Sequence, residues 1–374
     1  MKYYNLKEIQ IVEKLQFTKK DTAIVKGVGI ILMFMHHLFA FPDRIKDGAS
    51  YISLFSMLGT DIEVLLALFG KICVAMFLFL SGFGIYKKIV DNRENTISIL
   101  FKKLKALYIN YWIIFLIFIP ISFFIGSRVF NFDELFDNLI GYKSTYNGEW
   151  WFFELYILTM ITFPITIKVV RNSSIISIVN IILISVVTRT ILPGLINNGI
   201  FADFSQSFFY NEISFLLGWL PCFLMGCTFA KFDLFPKIKK IFRDNRLDNI
   251  IVYSLIYIGI IYIRHRTDDS IDFDYLFAPI FIIASDYVVR FLRLDNLFAF
   301  LGKHSTNMWL IHSFFCYQYF QTLVYYPKIS IIVVIWLTIL CVICSWIIMY
   351  ITKEYNNLYK KVTNKLSSKV EVGI

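Results

Sequence analysis

The sequence predicts an all-α, polytopic integral membrane protein of about ten transmembrane helices, and three observations carry that prediction. Hydrophobic residues fill 57% of 374 positions and charged residues only 17%, with a mean hydropathy of +0.64, outside the usual soluble range. Mainly apolar runs recur at about 22–42, 65–86, 104–126, 150–170, 174–196, 211–230, 247–264, 274–293, 300–323 and 329–351, each near the twenty residues that cross a hydrocarbon core. The connections between them alternate in charge. Counting residues near the ends of runs with the adjoining connection, 28 of the 37 Lys and Arg fall on the side of the N-terminal arm, every second connection and the tail, seven on the side of the other connections, and two, Lys71 and Arg189, deeper inside runs. By the positive-inside rule both termini are then cytoplasmic, and the expected location is the cell (plasma) membrane.

The net charge of +10 is therefore topological, and the nucleic-acid reading that it would suggest in a soluble protein falls away. The chain divides into a cytoplasmic arm at 1–20 with five lysines, a membrane domain at 21–353 and a basic cytoplasmic tail at 354–374. About twenty polar residues precede the first apolar run and no small-residue cleavage site follows it, so it reads as a retained helix. The connection at about 127–149 has room for one short surface helix. All six cysteines lie in apolar runs, which indicates neither a disulfide framework nor a zinc site, and Cys341 and Cys344 read as packing residues. No metal is expected. No clear internal repeat is present, which weakens a transporter built from inverted halves.

Ionisable groups inside a membrane segment are costly and face a cavity or a partner. In the first run, Lys26 and His37 are eleven residues apart, so at 100° and 1.5 Å per residue they share a face about 16 Å apart. They suit one cavity lined at two depths, whereas His36 points elsewhere; a packing histidine and a snorkelling lysine are the plain alternatives. His312 lies nine residues past Lys303, at a depth similar to that of His37, and the two histidines are expected to face one pore. Lys71, Glu149, Glu154 and Arg189, with Trp151 nearby, could bind a sugar at the outer side, or form an interfacial aromatic belt and a structural ion pair. Ser81 has no adjacent base, so its Ser-Gly reads as a close helix contact or a helix end. Asp286 needs a partner that the sequence does not name.

The segment from Lys26 to His37 resembles acyltransferase family 3, whose first helix carries a basic residue, ten intervening residues and a histidine. Phe79-Leu80-Ser81-Gly82-Phe83-Gly84 is similar to that family's Ser-Gly-Phe motif, and Lys102-Lys103-Leu104-Lys105 to its Arg-x-x-Arg. Leu301-Gly302-Lys303-His304-Ser305 through Trp309-Leu310-Ile311-His312 is similar to its late pattern, and Trp150-Trp151-Phe152 opens the fourth run. Lysine replaces the usual arginine at 26, 102 and 105, giving a point charge in place of a bidentate fork. The resemblance implies transfer of an acyl group, usually acetyl, from cytosolic acetyl-CoA as co-substrate to a carbohydrate across the membrane. Lys26, Lys102 and Lys105, with Lys303, would meet the CoA phosphates, and His37 and His312 would serve the chemistry as base or acyl carrier. The expected function is an O-acetyltransferase acting on an extracytoplasmic polysaccharide or its lipid-linked precursor. Its partners would be the lipid bilayer, the carbohydrate acceptor and polysaccharide synthesis or export machinery. An appended extracytoplasmic esterase-like domain is not seen, so one polypeptide performs both halves of the transfer or a partner completes it. The rivals are a flippase or exporter without chemistry and an assembly subunit of a polysaccharide machine.

Overall fold

The computed structural model describes residues 15–46, 48–57, 60–92, 94–197, 207–266 and 273–372, apart from the side chains of 57, 91–92, 189–197, 208 and 365–372. Most of the expected arm at 1–20 lies outside them. Among the described residues the helices, in order, are α1 (Lys19–Phe39), α2 (Ile62–Gly70), α3 (Cys73–Asn92), α4 (Thr96–Phe124), α5 (Phe132–Leu139), α6 (Trp151–Asn172) and α7 (Ile175–Asn197). They continue with α8 (Phe208–Lys231), α9 (Leu234–Asp244), α10 (Ile250–Arg266), α11 (Asp274–Phe291), α12 (Asp295–Ser313), α13 (Gln321–Tyr325) and α14 (Ser330–Val372). Among the described residues, the strands are β1 (Ser56–Met57) and β2 (Thr60–Asp61), an antiparallel hairpin pairing Ser56 with Asp61.

Among the described residues, six stretches are long and apolar enough to cross a membrane: Lys19–Phe39, Ile62–Val90, Thr96–Phe124, Gly148–Asn172, Phe209–Lys231 and Ser330–Asn364. The other four expected spans also fall on helices. α10 has 17 residues and α11 has 18, the side chains of α7 are described over Ile175–Thr188, and the run at 300–323 is interrupted after Ser313 by a π-helical turn, Phe314–Gln318. The exposed faces are apolar, as lipid contact requires. Ile251, Leu255, Ile258 and Tyr262 form one stripe on α10, and Ile335, Ile339, Ile343, Trp346 and Tyr350 another on α14. Such stripes suit hydrocarbon, not water.

Two compact units make up the chain. The first comprises Met1–Pro42, Ser53–Phe101 and Phe152–Lys303. Its α1 begins on a capping box, in which the Thr18 hydroxyl accepts from Asp21 N at 3.2 Å and the Asp21 carboxylate accepts from Thr18 N at 2.6 Å. Close helix contacts rest on small residues. The Gly27 backbone abuts Phe298, and the Gly302 backbone abuts Ala23, so closely that a Cβ on either glycine would overlap the opposite carbonyl. In the Ser-Gly-Phe segment, Gly82 packs against the Phe223 carbonyl, which makes the motif a close contact between α3 and α8; α3 itself runs on to Asn92. The span expected at 65–86 is jointed. At Lys71 and Ile72 the hydrogen bonds shorten to Ile72 N on Phe69 O (3.1 Å) and Val74 N on Lys71 O (3.2 Å).

The basic segment between α8 and α10 folds as α9, an amphipathic helix. Its buried Phe235 stacks on Phe17 at 4.1 Å and meets Phe83 and Phe229 edge-on at 5.2 and 5.1 Å. α9 also supplies part of the partner set that Asp286 requires. Arg290 Nε donates to Asp286 at 3.0 Å, Lys239 Nζ lies 3.5 Å from the same carboxylate, and the other face of Arg290 pairs with Asp21. Asp21 and Asp286 are each 4% exposed, so this alternating chain of charges neutralises two buried carboxylates.

The second unit comprises Asp43–Ile52, Lys102–Trp151 and His304–Ile374. The short helix expected at 127–149 is α5, capped by Asn131, whose side chain accepts from Glu134 N at 2.9 Å. Buried Trp150 donates its indole N–H to Leu310 O at 2.9 Å and packs among Tyr111, Phe115 and Phe314. Asn110 joins α4 to α14 by accepting from the Thr352 hydroxyl at 2.9 Å. α14 runs without interruption through the expected boundary at 353.

Candidate active site

The first unit frames the face of α1 that carries Lys26 and His37. Taking Ala23 as the origin at 100° per residue, Ala23 and Gly27, which touch α12, lie at about 0° and 40°. Leu32 and His36, which meet Gly70 of α2, lie at about 180° and 220°, and Gly29, which meets Phe77 of α3, at about 240°. Lys26 and His37 then fall at about 300° and 320°, in the sector between α3 and α12. Ile30 and Met33 lie in the same sector and are 0% and 5% exposed. The stripe is therefore walled by protein, with half-buried Lys26 at one end and half-buried His37 about 16 Å further along. Both side chains take part in interactions within the fold.

Beside His37 the structure is built closely. The His36 ring stands edge-on to it at 5.0 Å and to Phe41 at 5.1 Å, and His36 Nδ1 lies 2.8 Å from Ala67 O. Arg264 Nη1 donates to the next carbonyl, Leu68, at 3.0 Å. The same guanidinium grips Asp274 through two hydrogen bonds of 2.7 and 3.0 Å. Lys71 is half-buried at the joint that follows α2. Lys303 is exposed, one residue beyond the Gly302 contact with Ala23. On α6 Glu154 is half-buried, while the side chain of Arg189 falls outside the described residues.

The remaining expected residues belong to the second unit. His312 is fully buried, with Nδ1 2.6 Å from Trp309 O one turn back on its own helix. Lys102 and Lys105 are exposed, and Lys105 Nζ sits 3.9 Å over the ring of Tyr359. Glu149 forms an ion pair with Arg44 at 3.2 Å, and Arg44 lies over Tyr317 at 5.2 Å. Trp151 is half-buried beside the fully enclosed Trp150. Nearby, Tyr146 is enclosed with Arg128 5.0 Å over its ring; burial, then Glu134, push its phenol upward, against a smaller opposing effect of Arg128.

Sequence reasoning missed His36, Arg44 and the charge chain through Arg290. For His36 a signal was available. Adjacent residues on a helix point about 100° apart, so two neighbouring histidines in an apolar segment require two different partners.

Helices of this length and apolarity define a membrane protein, and one of them holds a cation and an imidazole on a protein-facing stripe. The family model described as Acyltransferase domain matches residues 23–350. The chain belongs to that family, acyltransferase family 3, and is a membrane acyltransferase. No curated protein and no solved structure matches it.

Proposed function

We propose that the protein is an O-acetyltransferase of the plasma membrane, with both termini cytoplasmic. It takes acetyl from cytosolic acetyl-CoA and places it on a hydroxyl of an extracytoplasmic polysaccharide, whether capsule, exopolysaccharide or cell-wall sugar, or of its lipid-linked precursor. The observation that carries this reading is the Lys26 and His37 stripe, walled between α3 and α12 in a chain of an acyltransferase family. Lys26 holds a donor phosphate as a point charge. The rise of about 16 Å is comparable with an extended pantetheine arm, which brings the thioester to His37.

As general base, the imidazole takes the acceptor hydroxyl's proton while its oxygen bonds to the acyl carbon; the C–S bond then breaks and the proton passes to the departing thiolate. As acyl carrier, the imidazole displaces the thiolate itself and yields the acetyl to the hydroxyl in a second step. Either course ends in an ester and free CoA. Lys102, Lys105 and Lys303 are proposed as further phosphate contacts, His312 as the second histidine of the chemistry, and Lys71, Glu149, Glu154, Trp151 and Arg189 as acceptor contacts. Polysaccharide synthesis or export machinery is the expected partner.

The test is the acetyl content of the cell's polysaccharide with wild-type and His37→Ala protein at equal membrane expression. Acetylation is expected to disappear, and normal acetylation by the variant overturns the assignment of His37. Loss of polymer export with unchanged acetylation in a deletion strain would instead favour a flippase.

A further inference from the structure

We propose that His36 is a positioning residue for acyl transfer: its imidazole ties the last turn of α1 to the end of α2 and so sets the height and aim of His37. The inference rests on the reading of His37 as the residue that meets the acyl group.

The end of any helix leaves carbonyls without a partner in that helix, and within a membrane protein such a group must be satisfied by another part of the chain. At the end of α2 the joint turns the Lys71 N–H to Phe69 O, so the Ala67 carbonyl loses the donor that a continuing helix would bring it. His36 Nδ1 replaces that donor at 2.8 Å, and Arg264 does the same for Leu68 O at 3.0 Å. The contact is reinforced by packing. A Cβ on Gly70 would lie 3.1 Å from His36 Cβ and overlap the Leu32 carbonyl, so the helices touch through backbone. The His36 ring is also held edge-on against Phe41 at 5.1 Å and against His37 at 5.0 Å. His37 is the next residue on the same turn. Rotation or slippage of that turn is resisted by the bond to Ala67, and any such movement would swing His37 off the stripe it shares with Lys26. A displacement of about 1 Å at a reacting group is enough to cost up to about a hundredfold in rate.

The test uses membranes of the cell that makes the protein, supplied with radiolabelled acetyl-CoA, with label counted in polymer and kcat separated from KM. His36→Phe keeps an aromatic ring but removes the donor. His36→Asn removes the ring but places an amide N–H close to the position of Nδ1. His36→Phe is expected to lower kcat by about ten- to a hundredfold with KM for acetyl-CoA within about twofold of wild type. His36→Asn is expected to recover kcat to within about threefold of wild type. Gly70→Ala reaches the same contact from α2 while leaving both histidines in place, and is expected to lower kcat in the same way. Wild-type kcat in His36→Phe or Gly70→Ala, failure of His36→Asn to recover, or a change confined to KM overturns the proposal. His37→Ala in the same assay separates the two readings: if it still transfers label, the parent reading fails, and if it is silent while His36→Phe is fully active, only the present inference falls.

Discussion

Arg290→Ala offers a direct measure of what holds the near end of α1. In the native fold Arg290 serves two carboxylates, bonding to Asp286 at 3.0 Å and pairing with Asp21, while Lys239 stands 3.5 Å from Asp286. Both carboxylates are 4% exposed, so removing the guanidinium leaves Asp21 without this cation and Asp286 with only the longer contact. Breaking a buried pair from one side costs about 3–5 kcal/mol, because the remaining charge stays desolvated. Arg290 has a side chain 38% exposed, so water screens part of the loss and the lower end, about 3 kcal/mol, is the expected figure. Thermal unfolding in detergent can be followed with a thiol-reactive fluorogenic dye, since Cys73, Cys222, Cys227, Cys316 and Cys341 are buried and become reactive only on opening. The companion variant Asp21→Asn, Asp286→Asn, Arg290→Met removes all three charges together and should recover most of the stability. An unchanged midpoint in Arg290→Ala, or a companion variant less stable than Arg290→Ala, would refute the reasoning that uncompensated charge is the cause.

Gly302→Ala should destabilise by about 1–3 kcal/mol, because its Cβ meets the backbone of Ala23 and cannot be relieved by a rotamer change. Gly84→Ala, with open space around it inside α3, should not lower the same dye-monitored midpoint. Lys102→Ala combined with Lys105→Ala should lower binding of radiolabelled acetyl-CoA; undiminished binding rules out a phosphate role for the pair. The hydrogen bond from Lys20 holds the Asp295 carboxyl below the ordinary aspartate range, against the opposing effect of burial. Its stabilising contribution is thus present above that range and is lost as pH falls through the lowered value. Lys20→Gln should lower the midpoint at neutral pH, and the difference should close in acid as Asp295 protonates in the folded and unfolded chains alike; a difference that persists there counts against the pair.

Much of this architecture is legible in one dimension. Apolar run length and Lys/Arg placement anticipate the all-helical build, and the length of the connection at 127–149 anticipates the short helix found there as α5. The ten expected runs all fall on helices, and among the described residues six stretches meet the length and apolarity of a span; where a run is broken, as at the Lys71 joint and the π-turn after Ser313, depends on which carbonyls find donors elsewhere. α9 is hidden in sequence by its lysines and is anchored through Phe235, whose aromatic partners Phe17, Phe79 and Phe83 come from distant segments.

Lys26 and His37 share a face because an eleven-residue separation is close to three helical turns, and this much the sequence determines by itself. Which neighbours wall that face is a tertiary matter, decided by where Gly27, Gly302 and Gly70 let backbones approach. The partners of Asp286 and His36 are likewise beyond sequence, since Arg290 reaches Asp21 across 269 residues and His36 reaches Ala67 across 31. Helical periodicity is a local rule carried by every residue, whereas a buried charge or an orphaned carbonyl is satisfied by whatever donor the packed helices bring within hydrogen-bonding distance.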